Sequence, residues 1–203
     1  TIDSADKSLL NLDVGEFLAA LELLIDGGEG PQLTLAGLLL FGKGECLKRY
    51  VPTHRYDFQW LQDGKVLINT SIRCNIVEGF KAFYSFCDKF NLRDEFVAKG
   101  VRHEVKRFDE DSLREAFANA SSHHRPVRIL FDESGLTISN PGSLVRGLKA
   151  DRLIGALPKG RNPLLNESLK RIGYCEQTGR GVDRIYAGAA KLGKVWPSYA
   201  SSD

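Results

Sequence analysis

The apolar and polar positions change period several times along the chain. Asp13 can cap a helix running to about Ile25, with Phe17, Leu18, Leu21, Leu24 and Ile25 as its buried stripe and Gly27-Gly28 as its stop. After Pro31, the run LTLAGLLLFG has Thr34 as N-cap and Gly42 as exit. It is apolar nearly all round, which predicts a core helix, and it is too short to span a bilayer. The period then drops to two. HRYDFQW and KVLINT alternate as strands, and Asp63-Gly64 between them is a hairpin signal. From about Ile72 to Phe90 the spacing of Ile76, Phe80, Phe83 and Phe86-Cys87 returns to that of an amphipathic helix. Its aromatic spacing is explained by packing rather than by a cofactor. VRHEVKRF then alternates as a strand.

The stretch from Asp111 to Gly142 is the densest in local signals. Ser112-x-x-Glu115 reads as a capping box, in which the serine oxygen accepts from the Glu115 amide and the glutamate reaches back. Leu113, Ala116, Phe117 and Ala120 make one apolar face. Glu115 and Asn119 point away from it, together and one turn apart. PVRILFD and LTISN predict two strands joined at Glu133-Ser134-Gly135, and Asn140-Pro141-Gly142 ends the ladder. Beyond, KADRLIGAL predicts a short helix. Asn162 and Pro163 predict the N-cap and first residue of another, which runs through Leu165, Leu169 and Ile172 to Gly173 as its C′ residue. A last helix opens at Thr178-Gly179-Arg180-Gly181 and continues as VDRIYAGAAKLG.

Four of these segments in order, REAFANASSH, ISNPG, KGRNPLL and GYCEQTGRGVDRI, resemble the C-terminal ATPase-like domain of bacterial proteins labelled RecG-like or transcriptional regulators. In those proteins the domain commonly follows a Schlafen/Alba-type DNA-binding domain. It looks like a divergent member of the GHKL group (gyrase, Hsp90, histidine kinase, MutL). LTLAGLLLFGK matches a segment that usually precedes it. The link from His123 to Val127 is shorter than in the family.

The resemblance implies an α/β (α+β) fold: a GHKL-like sandwich of mixed β-sheet and helices over residues 99–203, preceded by a helical and β-hairpin portion over 1–98. The strand VRHEVKRF would belong to the same sheet. In GHKL ATPases a glutamate orients the attacking water and an asparagine helps hold Mg²⁺, which assigns Glu115 and Asn119. A carboxylate can accept the water's proton, and an amide oxygen is a hard ligand. The adenine-reading aspartate falls on Asn140, with Gly142 as its glycine. An asparagine there still accepts through its side-chain oxygen but without the charge. Thr178, Gly179, Arg180 and Gly181 would cradle phosphate, since bare amides at the positive end of a helix face an anion. For each, a structural role competes: capping for Glu115, solvation for Asn119, helix entry for the glycines. Lys159-Gly160-Arg161-Asn162 precedes a helix N-terminus and could help hold an anion or pair with Glu176, a structural ion pair being the favoured role. His123-His124 reads as a surface pair.

Composition narrows this little further. The net charge of +2 gives no argument for nucleic acid by itself. Four cysteines without C-x-x-C spacing read as reduced residues of a cytoplasmic protein. No apolar run approaches a membrane span, so no membrane partner is expected. The chain contains no methionine and reads as a fragment of a longer protein. The expected function is a nucleotide-binding-type module of a DNA-binding transcriptional regulator, with DNA contacted through other domains, ATP and Mg²⁺ as ligands if any, and a homo-oligomeric state. An active Mg²⁺-dependent ATPase with Glu115 as general base, and a dimerisation or relay scaffold without nucleotide, are the alternatives.

Overall fold

A computed structural model describes residues 5–90, 93–98, 100–142, 144, 153–155, 161–175 and 180–199. A 3-10 turn at Lys7–Asn11 leads into helix α1, Val14–Ala20. Asp13 closes a capping box on it: its Oδ1 accepts from the Glu16 amide at 2.8 Å, and Glu16 Oε2 accepts from the Asp13 amide at 3.1 Å. The helix stops at Ala20 rather than near Ile25. Glu22 takes a left-handed φ of 56°, and Leu24–Asp26 becomes strand β1, paired with β2, Pro31–Leu33. The turn lets Leu21 and Leu23, two residues apart, both reach the core, while Ile25 is left exposed.

Helix α2, Leu35–Phe41, is capped as expected, with Thr34 Oγ1 accepting from the Gly37 amide at 3.1 Å. Helix α3, Gly44–Tyr50, was not legible: it buries only Leu47 and has no side-chain cap. Strands β3, Tyr56–Gln62, and β4, Lys65–Ile72, meet at Asp63 and Gly64, whose positive φ values of 49° and 70° suit a tight hairpin turn. Helix α4, Ile76–Cys87, starts later than expected because β4 holds the chain extended through Ile72; Asn75 is its N-cap. Strands β5, Arg93–Ala98, and β6, Val101–Lys106, precede helix α5, Glu110–Ser121. Then come β7, Val127–Asp132, β8, Gly135–Ser139, helix α6, Pro163–Arg171, and helix α7, Gly181–Lys191. Of the helix expected over KADRLIGAL, only Leu153, Ile154 and Gly155 are described, the last two in a turn.

The mixed α/β expectation holds. The main sheet runs β4-β3-β7-β8, with β3 and β7 parallel and the other pairs antiparallel. VRHEVKRF does not join it: β6 pairs antiparallel with β5, the strand just before it, across a turn that uses the left-handed Gly100 (φ 78°), and the two make a separate ribbon. Tyr56, Phe58, Val127, Ile129 and Phe131 alternate inward onto α4 and α5. There Phe117 stacks on Phe83 at 4.4 Å and on Tyr56 at 5.3 Å, with Phe80 edge-on at 4.7 Å. The start of the chain is tied to α6: Arg171 Nη2 lies 3.0 Å from Asp6 Oδ2, and its Nη1 donates to the Ala20 carbonyl. Helix α6 has the ends expected for it. Asn162 Oδ1 accepts from the Leu165 amide at 3.1 Å, and Gly173 turns left-handed at φ 83°.

Candidate functional site

The cap of helix α5 lies three residues before the expected one. It is Asp109, whose Oδ2 accepts from the Ser112 amide at 3.0 Å. Ser112 is therefore the third helical residue, and its hydroxyl turns outward toward the Arg184 carbonyl, 3.3 Å away. The capping-box role of Glu115 is thus corrected. It is also not on a solvent face: only 2% of it is exposed.

The residue it meets is on another helix. A Cβ added at Gly181 would lie 2.5 Å from Glu115 Oε2 and 3.8 Å from Asn119 Nδ2. A side chain there would have to displace the Glu115 carboxylate, which lies against the first residue of α7. Arg180, the α7 N-cap residue, makes no side-chain cap bond. Two turns on, a Cβ at Gly188 would sit 2.0 Å from Ser112 Oγ and 2.9 Å from Asp109 Cβ. Gly181 and Gly188 therefore share the face of α7 on which α5 lies, and Ser112, Glu115 and Asn119 form the facing stripe. A carboxylate at the positive end of α7 is favourable. Arg114 Nη2 stands 3.9 Å from its other oxygen. Desolvation, and then the nearby Glu115 charge, push the Cys175 thiol up to about 12.

A second cluster gathers around Asn140. Its amide contacts Nε2 of His123, whose Nδ1 accepts from the Arg125 amide at 3.2 Å. His123 is half-buried rather than a surface residue. Burial holds its pKa below the usual histidine value, and the positive charges of Arg161, His124 and Arg125 lower it further. Gly142 has φ 130°, and Arg161 Nη1 lies 3.0 Å from where its Cβ would be. Arg161 therefore lies against the Asn140-Pro141-Gly142 turn, and Glu176, suggested as its partner, lies outside the described residues.

The sequence-predicted residues thus fall into two groups. Glu115, Asn119 and Gly181 come together, with Arg180 beside them; Asn140 and Gly142 come together around His123 and Arg161. Thr178 and Gly179 lie outside the described residues. Gly188 was missed, whereas Asp109, Glu110 and Asp111, whose charges suit the start of a helix, do lie there, Asp109 as the N-cap and the other two in the first turn. The seven-residue spacing Gly181–Gly188 was the available signal for close helix packing. Among the described residues, no group of three or more histidine, cysteine, aspartate or glutamate side chains could hold a metal. No helix among them is long and apolar enough to cross a membrane.

Comparison with known proteins covers both ends of the chain. Residues 124–203 match the family described as "Putative ATP-dependent DNA helicase recG C-terminal", and residues 3–57 match a domain of unknown function, DUF8451. The helix carrying Glu115 and Asn119 precedes the first of these ranges. The fold is similar to the crystal structure of the DIP2311 protein from Corynebacterium diphtheriae, with a TM-score of 0.78 and 22% identity over 95% of this chain. The chain spans only 39% of that protein. No curated protein matches it. Over residues 124–203 the chain is thus similar to a RecG-like C-terminal, ATPase-like domain.

Proposed function

We propose that the chain is a nucleotide-binding-type module, divergent from the GHKL ATPases, within a longer DNA-binding transcriptional regulator. In this reading nucleotide acts as a ligand that holds α5 against α7, and turnover is not its purpose. The observation that carries it is the meeting of Glu115 and Asn119 with Gly181 at the uncapped start of α7. A glycine at a helix N-terminus is a fitting surface for a phosphate, and an asparagine oxygen one turn from a carboxylate is a fitting Mg²⁺ ligand. The candidate residues remain Asn119, Asn140, Gly142, Thr178, Gly179, Arg180 and Gly181. Bound Mg²⁺ would neutralise phosphate charge. Glu115 is buried against α7 and so fixes the helices, whereas a general base must reach the attacking water.

The alternative with an observation behind it is the scaffold. Glu115 already supplies an anion at the positive end of α7, so the α5–α7 seam can close without nucleotide. DNA contact in this reading belongs to other domains of the longer protein, a cytoplasmic homo-oligomer.

Thermal unfolding with millimolar purine nucleoside triphosphate and Mg²⁺ separates the two. Ligand about a hundredfold above its dissociation constant adds roughly 2.7 kcal/mol, or several degrees for a domain of this size. A Mg²⁺-dependent rise supports the ligand reading, and an unchanged Tm favours the scaffold. If Glu115 were the general base, Glu115→Gln would abolish hydrolysis and leave binding intact.

A further inference from the structure

Cationic residues distant in sequence gather around the link, residues 51–55, that joins α3 to β3. The Thr53 hydroxyl donates to the His124 carbonyl at 3.2 Å, and the Arg55 carbonyl accepts from the Val127 amide at 2.9 Å. Arg73 Nη2 donates to the Pro52 carbonyl at 2.9 Å, and its Nε to that of His54 at 3.4 Å. The Arg73 main chain also lies against the start of α3, its carbonyl 3.4 Å from where a Cβ at Gly44 would be. Lys48, Arg49 and Tyr50 in the last turn of α3, Arg73, and His124-Arg125 therefore surround one link, all of them exposed. The charge there is not cancelled. Among the described residues Lys48, Arg49, Arg73 and Arg125 form no ion pair, whereas Arg114, Arg171 and Lys191 each meet a carboxylate. A guanidinium held by carbonyls, as Arg73 is, becomes oriented without being neutralised. The negative end of α3 explains cations at Lys48 and Arg49, but not at Arg73 or Arg125. His54, buried in the link, feels the same field: desolvation first, and then the positive His123, His124 and Arg73, hold its pKa low.

We infer that this surface holds the phosphate backbone of duplex DNA without reading its sequence. Uncancelled cations from separate elements suit a row of phosphates, and the guanidinium fork suits phosphate oxygens. Tyr50, 64% exposed with the Arg49 guanidinium 5.3 Å from its ring centre, offers its hydroxyl as a further donor. It is also the only large apolar side chain standing out from the surface among the described residues, too little for insertion into a lipid layer. The net charge of +2 conceals the patch, because acids such as Asp109, Glu110 and Asp111 lie elsewhere, at the start of α5. The inference rests on the reading that the chain works beside a DNA-binding domain. That domain would supply the specific contacts, and this surface would add non-specific ones to the same duplex.

Fluorescence anisotropy of a short labelled duplex, titrated with the whole chain in EDTA and without nucleotide, tests it. The slope of log K against log salt should be about −3.6, roughly 0.9 for each phosphate met by Lys48, Arg49, Arg73 and Arg125. This arm needs no variant to fold. Lys48→Glu/Arg125→Glu changes two exposed side chains and should weaken binding at least about tenfold and flatten the slope by about two. Lys65→Glu/Lys89→Glu removes the same charge at the far end of the sheet, where Lys65 pairs with Gln62 and Phe90 stacks on Phe131, and should change affinity less than about threefold. No binding at low salt, equal losses in the two double variants, or phosphatidylglycerol vesicles competing as well as unlabelled duplex would each overturn the inference. Those outcomes leave the nucleotide reading standing, since no nucleotide is present. Conversely, a Tm unmoved by nucleotide and Mg²⁺ would leave this surface standing.

Discussion

Helix α5 has two working faces that differ in kind. One inserts Phe117 into a stack with Phe83 and Tyr56, where shape and apolar area decide the outcome. The other lays Ser112, Glu115 and Asn119 against the glycines of α7, where polar atoms are brought close because no side chain intervenes. The first face tolerates no cavity. The second tolerates no added carbon. One helix thus joins the part of the molecule that folds it to the part with candidate chemistry.

The sharpest way to break the first face is Phe117→Ala. It should cost about 3–5 kcal/mol, read as a lower denaturant midpoint at constant m. A loss below about 1 kcal/mol would mean that the stack collapses to fill the space.

The same core contains a polar exception, and it gives a pH dependence. His54 is fully buried, edge-on to Tyr56 at 5.3 Å, and desolvation lowers its pKa from 6.5 to about 4. With the folded value depressed, the unfolded chain binds the proton more readily. Stability is therefore complete above about pH 6.5 and falls as pH drops toward 4. The loss should approach about 3 kcal/mol at the acid end. His54→Phe should flatten that part of a Tm-against-pH curve; a slope unchanged in the variant would remove His54 as its source.

Gly188→Val tests the second face. Overpacking against Ser112 and Asp109 should cost about 1–3 kcal/mol, and Ser112→Gly in the same chain should return part of it. Additive losses in the double-variant cycle would show that the two residues do not touch.

The smallest effect distinguishes two caps. Asp109→Ala should lose about 1 kcal/mol and Ser112→Ala markedly less, because Asp109 holds the Ser112 amide. The reverse order would restore the capping box at Ser112.

Much of this was legible locally. The caps at Asp13, Thr34 and Asn162, the Asp63-Gly64 hairpin and the inward stripe of α4 follow from side-chain oxygens, positive φ and a 3.6-residue period. The early end of α1 was not, because the burial of both Leu21 and Leu23 depends on what packs on them. Nor was α3, whose one buried side chain leaves almost no pattern.

The site divides in the same way. From sequence alone, Glu115 and Asn119 lay one turn apart on a helix, and glycines opened another helix. That pairing follows from 100° per residue and from the freedom of glycine, both properties of the local chain. The fold decided which residues meet. It pressed Glu115 against Gly181 in place of water, set Asn140 on His123, and laid Arg161 over Gly142. Those contacts join residues far apart in the chain, and their geometry is fixed by the packing of α5 on α7 and by the end of β8, which no local propensity encodes.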